Sequence, residues 1–371
     1  MKKIVMFVLV VSLILSGCTM AQDLPVQSPI NLFSEVSVQD VLSEGMSDSA
    51  SASVVMIADT GDVLYGHNIH EKRAIASITK IMTAVIALEY AAKNDMKVKV
   101  TEEMYAEGSS MYLKAGEILY LSEIVKGMMA VSGNDAANAV AIAVGGTKQK
   151  FAAMMNRKAV EIGMKNTSFV TPSGLDDENH YSTAYDMALL CAYAMKNDSF
   201  RDIVSQKSVD VSYVEPVGKM QTLYNHNKLL SLCDGCIGIK TGFTKKAGRT
   251  LTSCTERDGI RIIAVTLNDG NDWNDHCKLY DTAFQKVERI CVADRKRKIE
   301  IPLVGGETET VFLVPEKELF VTVRKGEKEY VCEQIYAPNF LYAPTEKNTV
   351  EGRIDYIMNE KVVGSVRLIT E

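Results

Sequence analysis

The sequence predicts an α/β fold, with helices packed on the faces of one sheet, followed by a small antiparallel all-β domain. Strand-like runs open and close residues 51–292 and helical patterns lie between them, so both ends are expected to share a single sheet. From residue 293 the pattern changes to short period-two segments separated by Gly, Lys and Glu turns. Such segments are typical of a small antiparallel sheet, which we assign to residues 293–371.

The first predicted element is a β-hairpin. Residues 53–58 are rich in β-branched side chains, Asp59-Thr60-Gly61-Asp62 is a turn sequence, and residues 63–65 form the returning strand.

Helical patterns fill the middle of the chain. From Ile78 to Leu88 apolar residues recur at steps of three and four, which predicts a helix buried along most of its length. A second helix opens at Ser122 and ends before Ser132, Gly145-Gly146 stop a third, and residues 147–163 form a long amphipathic one.

Strands return after residue 205. We place them at residues 209–214, 236–241 and 260–267, and a helix over residues 273–290 closes the unit. The C-terminal segments lie at residues 299–304, 308–313, 319–323, 330–335 and 353–368, the last long enough for two strands.

The composition excludes some partners. With 371 residues, 47% of them hydrophobic, the chain can bury a large core, and its length suggests two or three domains. The net charge is −6, and interleaved basic and aromatic residues are missing, so we expect no nucleic-acid partner.

The N-terminus has the features of an export signal. Lys2-Lys3 precede an apolar run over residues 4–15, and Leu15-Ser16-Gly17-Cys18 resembles the lipobox of bacterial lipoproteins. Residues 1–17 are then a signal peptide and residues 18–50 a membrane tether carrying lipid on Cys18. The alternative is ordinary cleavage after Thr19-Met20-Ala21. In both cases we expect an extracytoplasmic protein.

Three short motifs in one order carry the chemistry. Ser77-Ile78-Thr79-Lys80 places a hydroxyl and an amine on one helix face, near a helix N-terminus that favours negative charge on a nearby oxygen. Ser132-Gly133-Asn134 ends a helix, and Lys240-Thr241-Gly242 follows an apolar run. Each motif alone is weak evidence, but chance poorly explains all three together.

With these motifs and their surroundings, the chain resembles the serine D-alanyl-D-alanine carboxypeptidases among the low-molecular-mass penicillin-binding proteins. The likeness is strong over about residues 50–290 and looser beyond. It includes Gly108-Ser109-Ser110, Pro172-Ser173-Gly174-Leu175-Asp176 and His180-Tyr181-Ser182-Thr183-Ala184. The resemblance implies a β-lactamase/transpeptidase-like catalytic domain over residues 51–292 and a second domain over residues 293–371.

The first two motifs supply the predicted catalytic residues. Ser77 is the candidate nucleophile and Lys80 its base, provided that burial and the charge of Lys240 lower the pKa of Lys80. Ser132 relays a proton to the leaving amine, and Asn134 donates its amide to the substrate carbonyl. Their structural alternatives are a surface lysine at position 80 and a helix C-cap followed by an N-cap.

The third motif is predicted to form the opposite wall, with Lys240 in the substrate-binding site. The resemblance implies that Thr241 contacts the terminal carboxylate and that Gly242 lets the peptide approach the strand. The backbone amide of Phe243 completes an oxyanion hole with that of Ser77. The Phe243 ring itself is expected at most to line the cleft.

Two features depart from the family pattern. The arginine that members often place near the cleft is missing from Asn225-His226-Asn227, so carboxylate recognition falls to Arg249 or to no arginine, and His226 remains a second candidate. Cys233-Asp234-Gly235-Cys236 is either a local disulfide or a pair of free thiols, since a zinc site would need further ligands. No cofactor or metal is expected.

The predicted function is removal of the terminal D-Ala from peptidoglycan stem peptides through a Ser77 acyl-enzyme, with β-lactams acylating the same serine. A DD-endopeptidase that cuts cross-links is the alternative enzyme, and a catalytically idle wall-binding lipoprotein is the alternative of another class. A serine β-lactamase is disfavoured because we find no candidate for its deacylating base.

Overall fold

The computed structural model describes residues 40–371, which fall within one compact unit. The predicted signal peptide, Cys18 and most of the tether lie outside the described residues. The nine strands of the first part, β1 to β9, are in order Ala52–Ile57, Val63–His67, Lys97–Lys99, Ile118–Tyr120, Ser208–Ser212, Met220–Tyr224, Cys236–Thr244, Gly248–Arg257 and Ile260–Leu267. Its helices, α1 to α8, are Lys80–Ala91, Leu121–Val131, Asn134–Gly145, Lys148–Ile162, Ala184–Ala194, Asp198–Val204, Leu229–Leu232 and Asp272–Gln285.

The central sheet has the strand order β2-β1-β9-β8-β7, with every pair antiparallel. The prediction that the two ends of this part share one sheet is therefore confirmed. Because β7 is last in the order, one of its edges is left free of any strand partner within the described sheet.

Alternating side chains of the sheet enter two cores. Val54 and Val265 pack with the large helical layer that includes α1, whereas Val55 and Ala264 pack against α8 on the other face. The predicted site residues lie where the free edge of the sheet, β7 with Lys240, meets the helical layer that contains Ser77 and Lys80.

Helix α1 runs through the middle of the helical layer, and its residues from Lys80 to Leu88 are all buried. A 3-10 turn, Ala76–Thr79, leads directly into it. The buried helix expected from the apolar pattern is confirmed, and so are the ends of α2, α3 and α4 to within a residue or two.

One predicted element in this part was wrong, and strands β3, β4, β6 and β8 were not predicted. The helix expected over residues 273–290 ends at Gln285, and Val287–Ala293 is strand β10, because a short apolar run does not distinguish the end of a helix from a strand. Strand β8 went unpredicted since its buried face consists largely of Thr, Ser and Cys rather than large apolar residues.

The C-terminal part is β-rich, as predicted. After β10, strands β11 to β17 are Ile299–Val304, Thr310–Pro315, Leu319–Arg324, Cys332–Tyr336, Leu341–Tyr342, Val350–Met358 and Lys361–Thr370. A six-stranded sheet has the order β14-β16-β17-β12-β11-β15, with one parallel pair, β11–β15, and β10 pairs with β13. Arg324 of β13 donates to Asp62 in the β1–β2 turn, which joins this part to the central sheet.

The described end of the predicted tether packs on the body. Val41 exchanges two backbone hydrogen bonds of 2.9 Å with Gly66, and Met46 is 7% exposed. Packed structure therefore begins before residue 51.

Candidate active site

The 3-10 turn before α1 brings Ser77 and Lys80 together. The Ser77 side chain is half-buried while that of Lys80 is fully buried, and Lys80 Nζ lies 2.9 Å from Ser77 Oγ. This contact follows from their three-residue spacing on a helical turn.

Lys80 Nζ has three polar neighbours. It donates to Asn134 Oδ1 and to the carbonyl oxygen of Ser173, at 2.7 Å each, and contacts the Ser77 hydroxyl. A neutral amine has two N–H donors and one lone pair. Because both carbonyl oxygens can only accept, the lone pair of the neutral amine is directed at the hydroxyl of Ser77.

The environment of Lys80 favours the neutral amine. Burial lowers its pKa well below the ordinary value, the charge of Lys240 lowers it further, and Asp135 acts in the opposite direction. Both conditions expected for a lysine base, burial and the nearby like charge of Lys240, are thus present.

The second motif forms the tight connection between α2 and α3. Ser132 has a left-handed backbone (φ 60°) and ends α2, and Asn134 begins α3. The Asn134 side-chain amide connects two parts of the site. Its oxygen accepts from Lys80, and its nitrogen donates to the carbonyl of Glu107 at 2.7 Å. Of the capping expected as the structural alternative, only the C-cap of α2 at Ser132 is present, because the N-cap of α3 is Gly133 and Asn134 is already within the helix.

Asp135 is a site-forming residue that the sequence analysis missed. Its carboxylate accepts from the backbone amides of Met111 and Leu113 and from the hydroxyl of Ser110. These bonds hold the loop after Glu107 against the start of α3. The only signal in the sequence was its place directly after the Ser-Gly-Asn motif.

Strand β7 forms the opposite wall. Lys240 is 2% exposed, its Nζ donates to the carbonyl of Thr241 at 3.0 Å, and burial lowers its pKa to about 7. At Gly242 a Cβ atom would stand 2.9 Å from the backbone nitrogen of Ser77 and 2.4 Å from Thr250 Oγ1. The strand therefore lies against the nucleophile's turn at a distance that glycine permits. The Phe243 ring is 66% exposed.

The two lesser candidates lie in different places. Burial lowers the pKa of His226, and the charge of Lys240 lowers it further, so the two side chains are near each other. The backbone amide of His226 donates to the carbonyl of Ala130 near the end of α2. Arg249 instead donates to Asp272 of α8 and stacks over Trp273. Its neighbour Thr250 faces the Ser77 side, so strand alternation directs Arg249 away from that side.

The loop between α4 and α5 supplies groups that the sequence analysis did not assign. It carries the Ser173 carbonyl to Lys80 and contains the buried side chain of His180. Both stand in stretches already noted for their resemblance to the family, but nothing in their residue types indicated a role.

The cysteines described by the structure are free thiols, including Cys233 and Cys236, so the disulfide alternative is not formed there. Within residues 40–371 no group of three or more His, Cys, Asp or Glu side chains is arranged to hold a metal ion. None of the helices in the same range is long and apolar enough to cross a bilayer.

A half-buried hydroxyl beside an amine whose pKa burial lowers is typical of serine acyl-transfer sites that take their base from lysine. The comparisons identify the family within that class. Residues 39–271 match the family model described as D-alanyl-D-alanine carboxypeptidase, and residues 292–371 match that of the penicillin-binding protein 5 C-terminal domain. The chain belongs to the D-alanyl-D-alanine carboxypeptidase family.

Individual relatives agree with this assignment. The chain is 32% identical over 319 residues to the D-alanyl-D-alanine carboxypeptidase DacF of Bacillus subtilis, covering 83% of this chain and 82% of that protein. Penicillin-binding protein 5 of Haemophilus influenzae superimposes with a TM-score of 0.64 at 27% identity, covering 87% of this chain and 97% of the other. PBP3 of Streptococcus pneumoniae, 22% identical with a TM-score of 0.75 over 88% of this chain and 99% of its own, shares the fold. The predicted β-lactamase/transpeptidase-like fold is confirmed.

Proposed function

We propose that the protein is a serine DD-carboxypeptidase that removes the terminal D-Ala from peptidoglycan stem peptides. The observation that carries this proposal is the arrangement around Lys80. Both donors of its neutral amine are occupied by carbonyl oxygens, and the remaining position meets the Ser77 hydroxyl at 2.9 Å. Family membership supplies the substrate class.

In the acylation step, Ser77 Oγ attacks the carbonyl carbon of the penultimate D-Ala and its proton passes to Lys80 Nζ. The oxyanion accepts hydrogen bonds from the backbone amides of Ser77 and Phe243. The close approach of Gly242 to the Ser77 nitrogen supports this pair, because Phe243 is the next residue. Ser132 passes the proton from Lys80 to the amine of the departing D-Ala.

The substrate is held along the free edge of β7, where an extended peptide can add as a further strand. Asn134 retains a second N–H for the substrate carbonyl, since its amide has two donors and the Glu107 carbonyl accepts from it. The terminal carboxylate binds near Lys240 and Thr241. Because the Arg249 guanidinium is hydrogen-bonded to Asp272, we assign Arg249 no substrate contact.

Deacylation reverses the proton path. Water takes the place of D-Ala, gives its proton through Ser132 to Lys80 and attacks the ester carbonyl. The bond between that carbon and Ser77 Oγ then breaks, Lys80 returns the proton to Ser77 Oγ, and the shortened peptide leaves with a new terminal carboxyl group. β-Lactams carry a strained amide and a carboxylate and are proposed to acylate Ser77 by the same steps.

We further propose that the enzyme works outside the cytoplasm, where peptidoglycan lies, and that lipid on Cys18 anchors it. Support comes from the sequence alone, namely the apolar run that ends in Leu15-Ser16-Gly17-Cys18. Two or more acyl chains would hold the protein stably on a membrane.

The test is intact-mass analysis of the protein purified from membranes, with and without penicillin, followed by peptide mapping. We expect one penicillin per chain on Ser77 and a lipidated N-terminal peptide. The Ser77→Ala variant should lose the adduct and the release of D-Ala from a pentapeptide, whereas Ser205→Ala, at the exposed serine that directly follows α6, should keep both.

Three outcomes would contradict the proposal. An adduct that persists in Ser77→Ala means that the nucleophile is another residue. Faster cleavage of a cross-linked dimer than of the monomeric pentapeptide would identify an endopeptidase. No adduct on the folded, unmodified protein would favour an idle wall-binding protein.

A further inference from the structure

His180 connects the catalytic turn to the loop that contacts Lys80. Its side chain is 3% exposed, and its Nε2 lies 2.8 Å from Thr79 Oγ1, in the residue directly before Lys80. On the other side of the ring, Nδ1 accepts from the backbone amides of Val170 and Thr171, at 3.0 and 3.2 Å.

These contacts determine the tautomer. A backbone amide can only donate, so Nδ1 carries no proton, and the proton of the neutral ring is on Nε2, which donates to Thr79. A doubly protonated ring would place its Nδ1–H against the backbone N–H groups of Val170 and Thr171. Burial lowers the pKa of His180 to about 4, although Asp177 and Asp176 raise it, which agrees with a neutral ring.

The loop held in this way reaches Lys80. Val170 and Thr171 begin a segment that continues through Pro172 and Ser173. The carbonyl of Pro172 accepts from Thr83 of α1 at 2.6 Å, and the carbonyl of Ser173 accepts from Lys80 Nζ at 2.7 Å. His180 thus fixes the start of this segment and, through Thr79, ties it to the turn that carries Ser77.

The same segment approaches the turn closely. Gly174 has φ of +86°, and a Cβ atom there would stand 1.9 Å from the carbonyl oxygen of Ala76. The segment is therefore packed tightly against the turn. Because the Ser173 carbonyl belongs to this segment, a small displacement of the segment would move that carbonyl relative to Lys80.

We propose that His180 is a positioning residue for acyl transfer, which keeps the Ser173 carbonyl on one N–H of Lys80 so that the lone pair of the amine stays directed at Ser77. This inference rests on the proposed function. His180 is not itself the base, because both of its ring nitrogens are occupied by Thr79 and by backbone amides.

His180→Asn tests the proposal, since the amide oxygen can replace Nδ1 as acceptor while the donor to Thr79 is lost. Thr79→Val removes the partner hydroxyl and leaves His180 in place. The matched control is His276→Asn. His276 is also fully buried between hydroxyls, those of Ser253 and Thr266, but lies on the α8 side of the sheet.

Three quantities are measured with a labelled penicillin well below each variant's unfolding temperature: the acylation rate constant, the dissociation constant of the complex before acylation, and the pH profile of acylation. We expect His180→Asn and Thr79→Val to slow acylation about tenfold or more. The dissociation constant should stay within about twofold of the unmodified protein.

The pH profile separates positioning from general loss of stability. Burial is the main cause of the low pKa of Lys80, with Lys240 and Asp135 as the charged groups acting on it. A loosened segment admits water, so the acid limb of the variants should move to higher pH by about half a unit. His276→Asn should lower the unfolding temperature yet leave the acylation rate and its pH profile unchanged.

The proposal is overturned if His180→Asn folds and acylates at the unmodified rate, or if His276→Asn slows acylation equally. Should His180→Asn not fold, undiminished acylation by Thr79→Val would overturn it. If the unmodified protein is not acylated at all, the proposed function fails, and this inference with it.

Discussion

Two buried lysines face the same cleft with different proton affinities. Burial lowers the pKa of both, but Lys80 also feels the charge of Lys240 and is lowered further. Both shifts favour the neutral amine beside Ser77, whereas the amine on β7, with a pKa of about 7, is partly charged at neutral pH. One lysine can then accept a proton while the other attracts a carboxylate.

These pKa shifts predict the pH dependence of kcat/KM, which reports the free enzyme. Activity requires Lys80 without its proton, so it rises with pH on the acid side. It also requires charged Lys240, whose pKa is about 7, so it falls on the alkaline side as that charge is lost. Release of D-Ala from a pentapeptide, measured between about pH 5 and 10, should give a bell-shaped profile.

Lys240→Arg provides the control, because a guanidinium stays charged throughout this range. The variant is expected to be slower, since the larger group fits the buried site poorly, but its alkaline limb should disappear. An alkaline limb that remains in the variant would show that another group titrates there.

At the scale of elements, the packing of β7 against the Ala76–Thr79 turn determines the oxyanion site. Gly242 is required by this close approach and not by its own backbone angles, since only a Cβ atom would collide there. The family resemblance assigned Gly242 to the approach of the substrate. The structure adds that its missing side chain also makes room for the nucleophile's turn.

Gly242→Ala should therefore push β7 away from Ser77 and separate the two proposed oxyanion donors. We expect acylation by penicillin to slow by about a hundredfold or more, with a loss of about 1–3 kcal/mol in the free energy of unfolding. The control is Gly270→Ala, where a Cβ atom would meet nothing within 4 Å. Equal acylation rates in the two variants would contradict this account of β7.

At the scale of the whole molecule, buried histidines couple stability to pH. Burial lowers the pKa of His276 to about 3, although Asp48 and Asp275 act in the opposite direction, and the ring lies between Ser253 and Thr266 behind the central sheet. The unfolded chain takes up this proton near pH 6.5, whereas the folded one does not. Folding is therefore opposed increasingly as the pH falls through this window.

The destabilisation caused by His276→Asn should consequently shrink in acid, because asparagine does not titrate. Urea unfolding of both proteins at pH 7 and pH 4 should show the difference between them falling by on the order of 3 kcal/mol. Other titrating groups cancel in this difference. A penalty that is the same at both pH values would mean that His276 is not held neutral in the fold.

The sequence by itself determined the class of this protein. Local patterns predicted the apolar helix behind Ser77, most of the strands and the β-rich second part, because helix and strand periods are properties of neighbouring residues. The three-residue spacing was enough to predict that Ser77 and Lys80 meet. The same local patterns failed at β8 and β10, where burial depends on partners distant in the chain.

The tertiary structure alone decided the pKa of Lys80 and the direction of its lone pair. Lys80 meets Asn134 and Ser173 at separations of 54 and 93 residues, and no local pattern encodes such contacts. The orientation of Arg249 toward α8 and the position of His180 were decided in the same way. A pKa and a lone-pair direction depend on every group packed around one atom, and the fold alone assembles those groups.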